Sequence, residues 1–258
     1  MTTMDPAPGP AAVLGELWDR ATTTQPALET PWAVGVAVLA LVLAWSPLGY
    51  RLVRHLATLA HEAGHALVAL LVGRRLSGIR LHSDTSGVTL SRGRPRGPGM
   101  VATLAAGYPA PAVVGLAGAW LVGAGYAAGW LWSIVLLCAL MLLLVRNLYG
   151  LWVVLVTGAA VAALSWTAPP LVLAAAAQLV AWSLLLAAPR AVAEMQRQRR
   201  RLRRHGARRA VPGPGPESDA DQLARLSGVP ATLWTAVFWL ACVACLLPGG
   251  RLLLGGTA

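Results

Sequence analysis

Long apolar runs alternate with polar interruptions along the chain, at 32–50, 55–73, 100–127, 130–146, 148–165, 168–188 and 230–247. A helix needs about 20 apolar residues to cross the hydrocarbon of a bilayer, and most of these runs approach that length. The pattern predicts an all-α polytopic membrane protein with about six or seven transmembrane helices. The stretch from 100 to 165 is nearly continuous, and its expected divisions are Gly129 and Arg146–Asn147. Gly107, Gly115, Gly118, Gly123, Gly125 and Gly129 recur at spacings that let membrane helices approach closely. Trp120, Trp130, Trp132, Trp152, Trp166, Trp182, Trp234 and Trp239 fall largely near segment ends, where an interfacial belt would place them.

Polar residues interrupt the pattern at 74–99 and 189–229. In the first, Ile79-Arg80-Leu81-His82 and Gly87-Val88-Thr89-Leu90 flank Ser83-Asp84-Thr85-Ser86, which predicts a small β-hairpin over 76–92. The second carries an arginine run, then Pro212-Gly213-Pro214-Gly215-Pro216, then Ser218-Asp219-Ala220-Asp221-Gln222-Leu223. That last stretch predicts a short amphipathic helix capped by Ser218 or Asp219. The chain thus divides into a polar N-terminal segment (1–30), a membrane core (31–188) with a helix at 55–73 followed by the hairpin, an Arg-rich loop and linker (189–229), and a C-terminal transmembrane helix with its tail (230–258). The first thirty residues, with Asp5, Pro6, Pro8, Pro10, Glu16 and Asp19, lack the basic start and early apolar core of a signal peptide, so the first long apolar run is expected to act as a signal anchor.

Composition agrees with a membrane protein. Only 12% of residues are charged and 57% are hydrophobic, with a mean hydropathy of +0.62; an ordinary soluble domain carries about 25% charged residues. The net charge of +11 comes wholly from arginine. Arg190, Arg197, Arg199, Arg200, Arg201, Arg203, Arg204, Arg208 and Arg209 cluster in one stretch beside an apolar segment. By the positive-inside rule this is a cytoplasmic loop, Arg190–Arg209, against anionic headgroups, and nucleic acid is not an expected partner. Arg51, Arg54 and the arginines from Arg74 to Arg96 put further positive charge on both sides of the second segment. The all-arginine, Ala- and Gly-rich usage points to a high-GC bacterium and so to its cell membrane; nothing in the pattern fixes an oligomeric state. Cys138, Cys242 and Cys245 lie inside apolar segments and read as packing residues.

The chemistry is concentrated in His61-Glu62-Ala63-Gly64-His65. On a helix, positions i and i+4 share a face, so both imidazoles can reach one metal ion with Glu62 beside them. An HExxH helix of this kind binds zinc through its histidines, keeps a position open for water, and uses the glutamate as general base. An ionisable residue inside a membrane helix costs about 2.5 kcal/mol or more, which makes it a functional hypothesis by default. The plain alternative is a buried polar cluster joining helices. His55 and His205, beside arginines, read as interfacial residues.

The run from Leu59 to Leu70 around this motif, followed by Gly73, Ile79, His82 and Gly87-Val88-Thr89, resembles the bacterial B-like branch of the site-2 protease family, polytopic intramembrane zinc metalloproteases. Ala106-Gly107-Tyr108, Arg146-Asn147-Leu148-Tyr149-Gly150 and the stretch Ser218–Leu226 extend the resemblance over most of 55–247. It implies Zn2+ on His61 and His65, Glu62 as catalytic base, and a membrane protein substrate cleaved at a membrane-embedded or membrane-proximal peptide bond. Members of the family take their third ligand from an Asp in an Asn-Pro…Leu-Asp-Gly sequence, which this chain lacks. Asp219, in a matching motif, is the candidate third ligand, with Asp221, Asp84 and Asn147 as alternatives. A substrate would have to be locally extended, and the hairpin is placed to pair with it by edge addition. The competing functions are a catalytically inactive protease-like membrane protein and a transporter or scaffold. A transporter predicts paired broken helices and charges at several depths, whereas intramembrane charge here is confined to one motif.

Overall fold

Prolines mark most of the helix starts. In the computed structural model, α1 (Pro10–Thr22), α2 (Thr30–Trp45), α3 (Pro47–Leu71), α4 (Pro98–Ala105) and α5 (Ala110–Gly123) each carry Pro at the first or second position. There the missing N–H is not needed and φ is preset for the helix. α6 (Ala127–Leu144), α7 (Leu148–Thr167), α8 (Pro170–Gly206), α9 (Asp219–Ser227) and α10 (Ala231–Leu254) follow, with β1 (Arg75–Leu81) and β2 (Gly87–Arg92) between α3 and α4. The structure describes residues 9–206 and 217–255, and only the backbone of 203–206. Asp5, Pro6, Pro8, Arg208, Arg209, the Pro212–Pro216 run and the side chains of Arg203, Arg204 and His205 lie outside it.

Among the described residues, four helices (α6, α7, α8 and α10) are long and apolar enough to cross a membrane, and counting the pairs α2–α3 and α4–α5 as one bent span each raises the number to six. The expected segments are recovered with shifted boundaries. The first two meet at Ser46–Pro47, so the helix expected over 55–73 begins eight residues earlier, at Pro47. Proline disfavours helical backbone in the residue before it, and Ser46 is extended (φ −74°, ψ 153°), its Oγ accepting the Gly49 N–H at 3.1 Å. The chain bends by 93° there. The α5–α6 division falls at Ala124–Tyr126, where Gly125 adopts φ +88°, and Gly129 lies inside α6.

The larger correction concerns the arginine-rich segment. Residues 189–206, expected as loop, continue α8 as one helix of 37 residues. α8 is the central helix of the bundle: 61% of its most apolar window is buried, against 22% for α7. Gly115 of α5 and Gly249 of α10 pack on Leu185, and Gly118 packs on the Trp130 ring. Trp130 and Trp182 are therefore buried inside the protein rather than belted at its interfaces. Arg190 faces the bundle, donating to the Ala44 carbonyl (2.5 Å), which the α2–α3 bend leaves without a helical partner, and to the Ser46 carbonyl (3.1 Å), which also accepts the Tyr50 N–H (3.2 Å).

The hairpin pairs β1 with β2 antiparallel, Leu81 opposite Gly87 and Arg75 opposite Arg92, with an irregularity between Leu76 and Gly78. The other edge of β1 docks on the break between α6 and α7. Arg146 N donates to Ile79 O (2.9 Å), while the Asn147 side chain accepts from Leu81 N (3.1 Å) and donates to Leu81 O (2.6 Å). One side-chain amide thus stands in for a strand residue and anchors the hairpin beside α3. Asn147→Leu orphans both Leu81 backbone groups. At about 1–3 kcal/mol for each buried unsatisfied group, it is expected to lower the thermal unfolding midpoint of the detergent-solubilised protein by several degrees.

Candidate metal centre

Starting α3 at Pro47 places Tyr50, Arg54, Thr58, His61, Glu62 and His65 along one side of a single helix at three- and four-residue spacings. From Tyr50 to Glu62 that stripe forms one wall of a cleft of about 250 Å³, with His65 just behind it. The hairpin turn (Thr85, Ser86, Gly87), the Arg-rich end of α8 (Ala191, Glu194, Met195, Gln198) and the start of α9 supply the other walls. The turn is tied down by Thr58 Oγ1, which donates to Thr85 O at 2.9 Å.

At the base of the cleft His61 Nε2 and His65 Nε2 lie 3.0 Å apart, and Asp219 Oδ2 lies 3.4 and 3.3 Å from them. Bonds of about 2.0–2.1 Å to a tetrahedral zinc put ligand atoms about 3.3 Å from one another, and this triangle has that size. Among the described residues it is the one group of three His, Cys, Asp or Glu side chains whose donor atoms converge in this way. Asp219 Oδ2 is buried yet accepts no hydrogen bond of good geometry from either ring. An orphaned buried acceptor facing two imidazole nitrogens is satisfied by a cation, so the donor set fits a metal ion.

The surrounding contacts orient the donors. His65 Nδ1 lies 2.7 Å from Thr103 O, and since a carbonyl only accepts, Nδ1 carries the proton and Nε2 keeps its lone pair toward the site. Gly107 passes so close that a Cβ there would overlap both imidazoles. The Tyr108 ring meets His61 edge-on with centroids 4.8 Å apart and stacks on Phe238. Glu62 is 2% exposed. Thr89 Oγ1 of β2 donates to its Oε2 at 2.5 Å, and Gly87 leaves room for the carboxylate against the strand.

The four carboxylate and amide candidates separate cleanly in space. Asp84 closes the exposed hairpin turn, accepting from Ser86 N (3.0 Å) and Ser86 Oγ (2.6 Å), which hold its carboxyl below the ordinary range. Asn147 is committed to Leu81. Asp221 pairs with Arg199 (2.8 Å) and accepts from Ser218 Oγ (2.6 Å); burial raises its carboxyl, but these partners bring it below the ordinary range. Asp219 alone of the four joins the histidines. The cap of α9 is Ser218, whose Oγ accepts from Asp221 N, so Asp219 is free of that task.

Other expectations are revised. Arg199, expected against headgroups, is 7% exposed and bound to Asp221 and Thr235. His55 links α3 to Tyr149 Oη at 3.0 Å. Gly107, Tyr108 and Thr89 stand in motifs visible in the sequence but without a role there, Arg199 is one of nine arginines in a run that does not single it out, and Thr103 carries no sequence signal. The three cysteines are buried and free.

A bundle of apolar helices enclosing a polar cleft with a convergent His₂Asp donor set is compatible with an integral membrane metallopeptidase. The Peptidase M50B-like family model matches residues 34–249, from α2 through α10, and the chain belongs to that family, membrane metallopeptidases of the site-2 protease type. No curated protein and no solved structure matches the chain.

The close fit of Gly107 generates a test. Gly107→Ala is expected to displace the imidazoles and weaken metal binding by about tenfold or more, read as metal per mole of purified protein with the helical circular dichroism unchanged.

Proposed function

We propose that the chain is a zinc-dependent intramembrane endopeptidase that hydrolyses peptide bonds in membrane-embedded or membrane-proximal substrates. The observation that carries this is the unpaired Asp219 Oδ2 converging with two imidazole Nε2 atoms beside a polar cleft. His61, His65 and Asp219 are the residues that would hold the ion. When bound, zinc supplies Lewis-acid activation of water and of the scissile carbonyl.

The remaining steps belong to the protein. Water reaches the site along the cleft past Arg54, Thr58 and Gln198, polar side chains that apolar helices alone could not provide. Glu62 takes a proton from the attacking water and passes it to the departing amide nitrogen as the C–N bond breaks and a C–O bond forms. Thr89 fixes one carboxylate oxygen of Glu62 and leaves the other to handle the proton. A helical substrate hides its carbonyls, so it must be extended over the site. β1 is paired on both edges, by β2 and by the α6–α7 break, whereas β2 runs beside Glu62 with its outer edge available for an added strand. By the positive-inside rule the arginine-rich end of α8, and with it the cleft, lies on the cytoplasmic side of a bacterial cell membrane.

Metal analysis of the purified protein tests the centre: wild type is expected to hold near-stoichiometric zinc, and both His61→Ala and Asp219→Ala to lose it. Wild type that stays empty after zinc supplementation, though folded, would instead favour the inactive protease-like protein. Glu62→Gln separates binding from chemistry. It is expected to keep its zinc while cleavage of a membrane-anchored reporter falls by about 10²–10⁴-fold.

A further inference from the structure

Asp219 reaches the histidines from an element that is not part of the membrane bundle. α9 is nine residues long, and what holds its first turn in place decides where Asp219 Oδ2 sits. Two buried apolar side chains, Ala220 and Leu223, seat the helix. The Arg225–Glu217 ion pair is exposed and constrains little. The buried polar tie is Arg199, near the far end of α8. Its Nε and Nη2 both reach Asp221 Oδ1 (2.9 and 2.8 Å), and its Nη1 donates to Thr235 Oγ1 of α10 (3.2 Å). One guanidinium thereby joins α8, α9 and α10. Arg197 and Arg200, its neighbours in the same run, stay exposed.

Asp219 and Asp221 are two positions apart on α9, so they point to roughly opposite sides of the helix. The Arg199 side is anchored by a planar charged fork, whose geometry a flexible ammonium does not reproduce. The opposite side presents Asp219 to His61 and His65.

We propose that Arg199 is a positioning residue for the metal centre: by locking Asp221 it sets the first turn of α9 so that Asp219 completes the donor set, and zinc affinity depends on this tie. The proposal rests on Asp219 being the third ligand. It makes the arginine-rich end of α8 a determinant of metal loading.

Zinc affinity of the full chain, purified in detergent, is measured by chelator competition for wild type, Arg199→Gln, Arg199→Lys, Asp221→Ala, Asp219→Ala and the double variant Arg199→Gln/Asp219→Ala. The visible spectrum of bound Co2+ is a second readout of the donor set. Arg199→Gln and Asp221→Ala are expected to weaken zinc by about 10–100-fold and to change the Co2+ spectrum, with Arg199→Lys recovering part of the loss. In the Asp219→Ala background Arg199→Gln is expected to add nothing, because its effect runs through Asp219. Wild-type affinity in folded Arg199→Gln or Asp221→Ala, beside a loss in Asp219→Ala, overturns the positioning role and leaves the ligand assignment standing. An undiminished Arg199→Gln effect in the double variant overturns the positioning role as well. Wild-type affinity in Asp219→Ala overturns the ligand assignment and the proposal with it. Should Arg199→Gln fail to fold, the less buried Asp221→Ala decides.

Discussion

Lipid offers no hydrogen bonds, so every backbone or side-chain polar group that an apolar bundle encloses must find its partner within the chain. This structure meets that requirement at two of its helix breaks, α2–α3 and α6–α7. The α2–α3 bend frees the Ala44 carbonyl, and Arg190 of α8 reaches across to it and to the neighbouring Ser46 carbonyl. The α6–α7 break exposes backbone at Val145–Asn147, and β1 pairs with it as a neighbouring strand would. Arginines that composition alone assigns to headgroups are in two cases, Arg190 and Arg199, internal partners of this kind. Asp219 Oδ2 is a buried acceptor whose pairing is left open, and it is left open toward two imidazoles.

The same requirement explains how a water-dependent site fits among membrane helices. The polar stripe of α3 would be costly facing lipid, but the hairpin, the end of α8 and α9 cover it and leave a cleft instead of a dry core. The hairpin, α4 and α9 each contribute an atom to the site: Thr89 on Glu62, Thr103 O behind His65, and Asp219 on the histidines. Burial holds these groups in place, since a side chain packed on all sides has little rotamer freedom left to lose when it binds a ligand.

Much of this was legible in the chain. The apolar runs locate the helices because length and hydropathy are local properties, and the hairpin follows from alternation around Ser83–Ser86. Boundaries were less secure where the bilayer pattern is blind. Polar residues from 189 onward look like loop by hydropathy, yet α8 continues through Pro189 because Arg190 and Arg199 find partners on other helices and the rest of the run is compatible with helix. Trp130 and Trp182 sit near segment ends in sequence but turn inward, since Gly118 and Gly250 leave space for their rings.

His61, Glu62 and His65 could be read from sequence because i and i+4 spacing fixes their relation on one helix, whatever the rest of the chain does. The choice among Asp219, Asp221, Asp84 and Asn147 could not. Each has the chemistry of a ligand or of a turn or cap, and local pattern cannot separate them. Packing decides by assigning partners: Ser86 takes Asp84, Leu81 takes Asn147, Arg199 takes Asp221, and Asp219 is left facing the histidines. A donor set drawn from α3 and α9, far apart in sequence, exists only once the helices between them have folded against one another.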